Sequence, residues 1–278
     1  MVTAENRRER QSSLFWLMVC MWSGWVAGET SLSFAAELAC IMKPYMEVSV
    51  GTPVEGIIQK ITVDRGDWVT KGQVIVMLEA SVEEATVALA KAKAEAEAGI
   101  KSTQAKVAFG RRKLERARDL YKSNSIAKHD VDEAETEVVL AEVAYLEATE
   151  KKREAELEWN RAIASLNLHQ IHSPLTGVVV ERLLSAGEQA KQNPILKLAQ
   201  IDPLLVEVFA PLSWLGRLQP GMKAEVRPQG TEPTTNSAVI TVVNRVVDSA
   251  SGTFGVQLEM PNPENALPAG MACRVEFH

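Results

Sequence analysis

Residue types that carry most enzyme chemistry are sparse here: four histidines (His129, His169, His172, His278) and three cysteines (Cys20, Cys40, Cys273) in 278 residues. His169 and His172 stand three apart, so their imidazoles could meet, but no cysteine or carboxylate at metal-ligand spacing accompanies them. His129-Asp130 has no partner nucleophile, and a helix N-terminus by itself favours an aspartate there. Cys40-x-Met42 followed by Met46 is a softer candidate, because thiolate and thioether ligands suit Cu(I). The simpler reading of those residues is a leading strand with one disulfide cysteine. The sequence therefore predicts no catalytic residue, no cofactor and no enzyme, with Met42 and Met46 as the only metal candidates.

Thirty basic against 36 acidic residues give a net charge of −6 and a pI near 5.4. That balance argues against a nucleic-acid partner, which requires a basic patch. Arginines at 7, 8 and 10 precede an apolar run from Leu14 to Gly28, and Ser33 and Ala35 occupy −3 and −1 of a cut after Ala35. This is the layout of a secretory signal over residues 1–35. The alternative is a retained inner-membrane anchor through residues 14–36, close to the ~20 residues a span requires. Glu37-Leu38-Ala39-Cys40 approximates a lipoprotein box, with Glu37 where an aliphatic residue is wanted. Loss of the signal removes Cys20 and leaves Cys40 and Cys273; an even count in an oxidising compartment predicts a disulfide joining the two ends.

The elements that organise the chain are two stretches, 53–78 and 174–198, that match without a gap. Pro53, Gly56, Gly66 and Asp67 fall on Pro174, Gly177, Gly187 and Glu188. Each half reads P-x-x-G, a strand, G-[DE] at a turn, and a second strand. Glycine at Gly56, Gly66, Gly177 and Gly187 suits turns that need φ > 0 or space without a Cβ. A repeat seen twice and far apart predicts two halves folding onto each other.

Between the halves, residues 80–167 contain no proline and are rich in alanine and charge. Ser81 with Glu84 reads as a capping box. The first arm then shows a seam of Val82, Ala85, Leu89, Ala92, Ala96 and Gly99. After a four-residue stutter it continues as Ile100, Thr103, Val107, Gly110, Leu114, Ala117 and Tyr121, which predicts local unwinding without an end to the helix. The second arm carries Val131, Ala134, Val138, Ala141, Tyr145, Ala148, Lys152, Ala155, Trp159, Ala162 and Leu166, spoiled only by Lys152. Ser123-Asn124-Ser125 turns the chain, so a hairpin on the order of 60 Å long is expected. Past Ala199 the composition shifts to β-branched residues, prolines and turn formers. Strands are predicted at 204–209, 224–227, 239–247, 253–260 and 272–277, with a short helix over 211–218.

This order of parts resembles the periplasmic adaptor subunits, or membrane fusion proteins, of Gram-negative tripartite efflux and secretion systems. The resemblance rests on P-V-E-G-x-I…R-G-D-x-V-x-K-G-Q at 53–73, S-P-L-T-G at 173–177 and L-P-A-G-M at 267–271. It implies a multidomain α+β fold: a split lipoyl-like β-sandwich, a coiled-coil hairpin inserted between its halves, and a C-terminal antiparallel β-barrel. The corresponding segments are 36–79, 80–167, 168–199 and 200–278, and the family's further membrane-proximal domain is expected to be missing. The family's hairpin tip carries an arginine, a leucine four residues on and a serine seven further on. Arg116 and Leu120 match the first two, while Ala127 departs from the third and cannot cap the second helix; Ser125 is the substitute cap.

The implied partners are an inner-membrane transporter (RND-type first, ATP-driven second), a TolC-like outer-membrane channel and further copies in a homo-oligomeric ring. Motion is expected at the joins near Ala80, Asn167 and Ala199. The competing class is a biotin or lipoate carrier, which presents a lysine at its hairpin tip. The equivalent run here is Glu79-Ala80-Ser81-Val82, and valine has no amine to acylate. A second alternative is an adaptor that captures Cu(I) through Met42 and Met46.

Overall fold

The computed structural model describes residues 37–230 and 235–278. The signal, its cleavage site, the alternative anchor and Cys20 lie outside the described residues. In chain order the first elements are β1 (Leu38–Val50), β2 (Gly56–Ile61), β3 (Trp68–Val69) and β4 (Val74–Leu78). Helices α1 (Ser81–Ala94), α2 (Ala98–Lys122) and α3 (Lys128–Asn167) follow. The chain returns through β5 (Gln170–His172), β6 (Gly177–Arg182), β7 (Gln189–Ala190) and β8 (Leu196–Pro211). It ends with β9 (Lys223–Pro228), β10 (Asn236–Asp248), β11 (Thr253–Met260) and β12 (Ala272–Phe277).

The two half-motifs interlock in a way that obeys the repeat. Gly56 and Ile57 of β2 pair with Ala190 and Gln189 of β7, and Gly177 and Val178 of β6 pair with Val69 and Trp68 of β3. Each pair maps onto the other by the same 121-residue offset. The flanking bonds repeat it: Ile58 N–H donates to Glu188 O and Val179 N–H to Asp67 O, both at 2.9 Å. Two sheets result, β5-β4-β2-β7 and the run β8-β6-β3 of a larger sheet. Both halves supply the core between them, including Ile58, Val69, Ile75 and Leu78 with Val179, Ala190, Leu196 and Leu198.

Beyond the sandwich, β1-β12-β9-β10-β11-β8 pair in order and β8 pairs back onto β1, so the six strands close on themselves. Their interior holds Met42, Leu204, Val206, Val208, Val256, Phe254, Leu258 and Val275, all essentially without solvent contact. Alternating burial in β11 follows from its alternation of apolar and polar or small residues, with Phe254, Val256, Leu258 and Met260 inward. Closure removes the exposed edges that an open sheet presents.

Strand β1 serves both units. Its Met46–Val50 pairs with Leu196–Gln200 at the sandwich, and its Cys40–Pro44 pairs with Leu204–Val208 at the closed ring, with a register shift between Pro44 and Met46. At Ala199, where the sequence places a join, β8 runs unbroken and is paired on both sides. The predicted helix over 211–218 shrinks to a 3-10 turn, Leu212–Trp214.

α2 and α3 pack antiparallel, as their crossed ion pairs show: Arg111–Glu142, Lys113–Glu137 and Arg118–Glu135. The α3 seam is as the sequence reads, from Val131 to Leu166, with Ala134 and Val138 most deeply covered. The α1 seam is not. Glu83, Val87, Ala90 and Ala94 face inward, while Val82 and Leu89 are 71% and 60% exposed. Alanines surround α1 on every side, so Val82 and Leu89 suggested a face that the packing does not use, and of the three large aliphatics only Val87 turns inward.

The capping expectations also need correction. Ala80 is the N-cap of α1 and offers no side-chain bond; the Glu79 carboxylate instead accepts the Ser81 N–H at 3.3 Å. At α3, Ser125 Oγ bonds Ser123 Oγ rather than capping the helix. Asp130 supplies half of a capping box by accepting the Ala127 N–H at 2.9 Å.

Candidate functional site

The tip of the helical pair is built by a complete left-handed helix end. Asn124 adopts φ 55°, its N–H donates to Tyr121 O, and the Ser125 N–H donates to Leu120 O, both at 2.9 Å. These two hydrogen bonds satisfy carbonyls that the end of α2 would otherwise leave open. Arg116, Leu120 and Ala127 are all exposed around it. Arg116 makes no ion pair among the described residues, in contrast to Arg111 and Arg118 on the same helix. Arg116 and Leu120 are four residues apart on α2, one helical turn.

The four repeat glycines divide into two kinds. Gly66 and Gly187 sit in turns at φ 92° and 89°, where a side chain is strained. Gly56 and Gly177 are the first residues of β2 and β6, so they are strand positions rather than turns. Only Gly177 is forced by close approach: an added Cβ would lie 2.8 Å from Ala199 C, 3.0 Å from Gln200 Cα and nearer still to the Ala199 carbonyl oxygen.

Cys40 and Cys273 are bonded to each other, directly opposite on β1 and β12 with Cα atoms 4.9 Å apart. Met42 lies two residues on, wholly buried inside the ring, whereas Met46 follows the register shift and is surface-exposed. With its sulfur in the core and Cys40 consumed in the disulfide, this stretch does not assemble a thiolate–thioether set. His169 Nδ1 meets the Ser165 carbonyl at 3.1 Å, and His172 Nδ1 meets that of Gly72 at 2.9 Å, so both rings have structural partners. Among the described residues no group of three His, Cys, Asp or Glu is placed to hold a metal ion.

Electrostatics on the ring centre on Glu37. Its carboxylate accepts from Arg274 Nη1 and Arg227 Nη1, each at 2.9 Å, and Arg227 reaches Glu276 as well. The bond from Arg274, with both guanidinium charges, holds the Glu37 carboxyl below its ordinary range. On the helices, the Lys101 ammonium and then the Lys152 charge do the same for Glu97.

A split sandwich, a helical pair leaving it and a closed six-stranded ring form one arrangement, and two family descriptions cover it. Residues 46–199 match the CzcB-like barrel-sandwich hybrid domain and residues 204–278 the CusB-like beta-barrel domain. The chain belongs to the membrane fusion protein family. It is 28% identical over 251 residues to the macrolide export protein MacA of Yersinia pestis, covering 83% of this chain and 64% of that one. It is 29% identical over 188 residues to the pyoverdine export membrane fusion protein PvdR of Pseudomonas aeruginosa, covering 66% and 48%. This membrane fusion protein thus spans between about half and just under two-thirds of the length of these curated relatives. Its fold matches the crystal structure of MacA from Actinobacillus actinomycetemcomitans with a TM-score of 0.72 at 20% identity, over 87% of this chain and 78% of that one.

Sequence reasoning missed one surface. Residues Asn244–Val246 bulge out of β10 opposite the single residue Gly255 of β11, and Val246 is left 82% exposed. The signal available was Gly255 amid β-branched neighbours: a Cβ there would lie 2.7 Å from Asn244 Nδ2.

Proposed function

We propose that this protein is an exported, non-enzymatic adaptor that joins an inner-membrane transporter to an outer-membrane channel. The observation that carries this reading is the interlocked sandwich with both helical arms leaving its edge together. Leu78 N–H, just before α1, donates to the carbonyl of His169, just after α3, at 2.8 Å. A rod on the order of 60 Å rooted in a rigid β base is a reaching device, and the closed ring at the other end of the strands is the base that meets the transporter. Residues 80–167 act as a coiled-coil hairpin, the halves at 36–79 and 168–199 as its lipoyl-like root, and 200–278 as the adaptor barrel.

Arg116 and Leu120 form the contact with a TolC-like channel, and Ala127 alters the third tip position. Copies pack side by side as a ring. Support comes from apolar side chains outside the seam, Leu89, Leu140, Val143, Leu146 and Leu157, which are about half or more exposed among the described residues. Phe209 and Val246, the most exposed of the ring's large apolar side chains among the described residues, are its contacts for the transporter. The relatives' roles in macrolide and pyoverdine export support a transporter partner that moves a small-molecule cargo. The work of transport belongs to that transporter, and the periplasm is the working compartment.

Replacing residues 81–167 by a short glycine-rich linker tests the bridging role. Because the two ends already lie within one hydrogen bond, the β units are expected to fold and unfold cooperatively while export is lost. Retained export contradicts the proposal.

A further inference from the structure

The first helical arm is broken where the second is not. α1 ends at Ala94 and α2 begins at Ala98, while α3 runs through the same level as one 40-residue helix. Phase explains the break. The inward residues are Glu83, Val87, Ala90 and Ala94 on α1, then Ile100, Thr103, Val107, Gly110 and Leu114 on α2. Within each helix the steps alternate three and four. Ala94 and Ile100, however, are six apart, where an unbroken heptad seam needs seven. A continuous helix would turn one of the two faces about 100° away from α3. Glu95–Glu97 absorb that one-residue deficit by leaving the helix.

What faces the interruption is equally unusual. α3 presents Lys152, the one charged residue of its seam, and its charge acts on Glu97, which also binds Lys101 at 2.7 Å. One layer away, the Trp159 indole N–H is covered but has no hydrogen-bond partner among the described residues, and Lys91 lies over its ring at 6.0 Å. An open cleft of about 420 Å³ separates Ala94, Glu95 and Glu97 from Lys152, Glu156 and Trp159. Neither end at the break has a side-chain cap, and Gly99 follows with open space around it. Apolar packing thus stops at this level, and exposed charges replace it.

We propose that Glu95–Glu97 is a hinge that divides the hairpin into a root, α1 with the end of α3, and a distal segment, α2 with the start of α3. The distal segment swings relative to the root as α3 bends at Lys152–Trp159, since no continuous partner helix braces it there. A one-residue deletion from the heptad is the device, so a one-residue insertion removes it. An alanine inserted between Glu95 and Ala96 places Ala96 in the seam and makes Ala94 and Ile100 seven apart.

Two measurements on the full chain test this. In a Cys20→Ser background, spin labels at Thr86→Cys and Arg112→Cys report the distance across the break. The unmodified chain is expected to give a distribution at least about twofold wider than the insertion variant. Equal widths overturn the hinge. Independently of any variant, amide exchange in the unmodified protein is expected to be about tenfold or more faster at 95–101 than at 104–114. Equal protection across both segments overturns it as well.

Discussion

Gly177→Ala and Gly56→Ala are the same substitution at equivalent positions of the repeat, and the structure assigns them opposite outcomes. At Gly177 the new Cβ falls 2.8 Å from Ala199 C and 3.0 Å from Gln200 Cα, main-chain atoms of β8 at the level where that strand is also paired to β1. Ordinary carbon contact is about 3.5–4.0 Å, so β6 and β8 must part by roughly 1 Å. That movement acts on the Val178–Ala199 pairing and on the sandwich core, and overpacking of this kind costs about 3 kcal/mol or more. For a chain of this size each kcal/mol lowers Tm by about 2–4 °C, giving a fall of roughly 6–12 °C. At Gly56 the nearest atoms are the Leu78 side chain at 3.4 and 3.6 Å, which can yield. The lower entropy of the unfolded alanine chain returns about 0.4–1 kcal/mol, so Tm should stay within about 3 °C. Thermal unfolding followed by circular dichroism decides the matter. A Gly177→Ala chain within about 2 °C of the unmodified protein, or equal losses for both variants, would refute the close-approach reasoning.

Other perturbations have equally definite outcomes. Cys40→Ser with Cys273→Ser should lower stability by about 2–5 kcal/mol, read as a Tm fall against the oxidised unmodified chain that disappears when the variant is compared with the unmodified chain fully reduced. Glu37 has a depressed folded-state pKa, so its stabilising contribution is present above its ordinary value of 4.5 and lost as pH falls below it. The Tm difference between Glu37→Gln and the unmodified chain should therefore be visible near neutral pH and shrink as pH falls below 4.5. Arg116→Asp with Leu120→Asp should abolish export in cells while leaving Tm within about 2 °C, since both side chains are exposed. A large Tm loss would instead assign them to the fold.

Legibility in the sequence tracked side-chain size and turn chemistry. The interlocking halves were readable because Pro53/Pro174, Gly66/Gly187 and their spacing leave few alternatives once two turns demand φ > 0. The α3 seam was readable because Val138, Tyr145, Trp159 and Leu166 mark one face unambiguously. On α1 that signal fails: small residues fit any face, and the helix takes its rotation from where β4 delivers it, with Glu83 turned toward His169 at 3.7 Å. The stutter was visible as a change of phase, but whether a helix stretches or breaks there depends on the opposing helix, which brings Lys152 rather than an apolar side chain. The double duty of β1 was hidden by Pro44, which suggests an interruption; the strand instead passes it with a register shift. The disulfide followed from cysteine count and compartment, and the pairing of β1 with β12 supplies its geometry.

The central claim is that one end of this molecule meets a channel and the other a transporter. Photo-crosslinkers placed singly at Leu120 on the tip and Val246 on the ring, in living cells, test it most directly. The account predicts two different integral-membrane partners: an outer-membrane channel from Leu120 and an inner-membrane transporter from Val246. The same partner from both positions, or a channel captured from Val246, would contradict it.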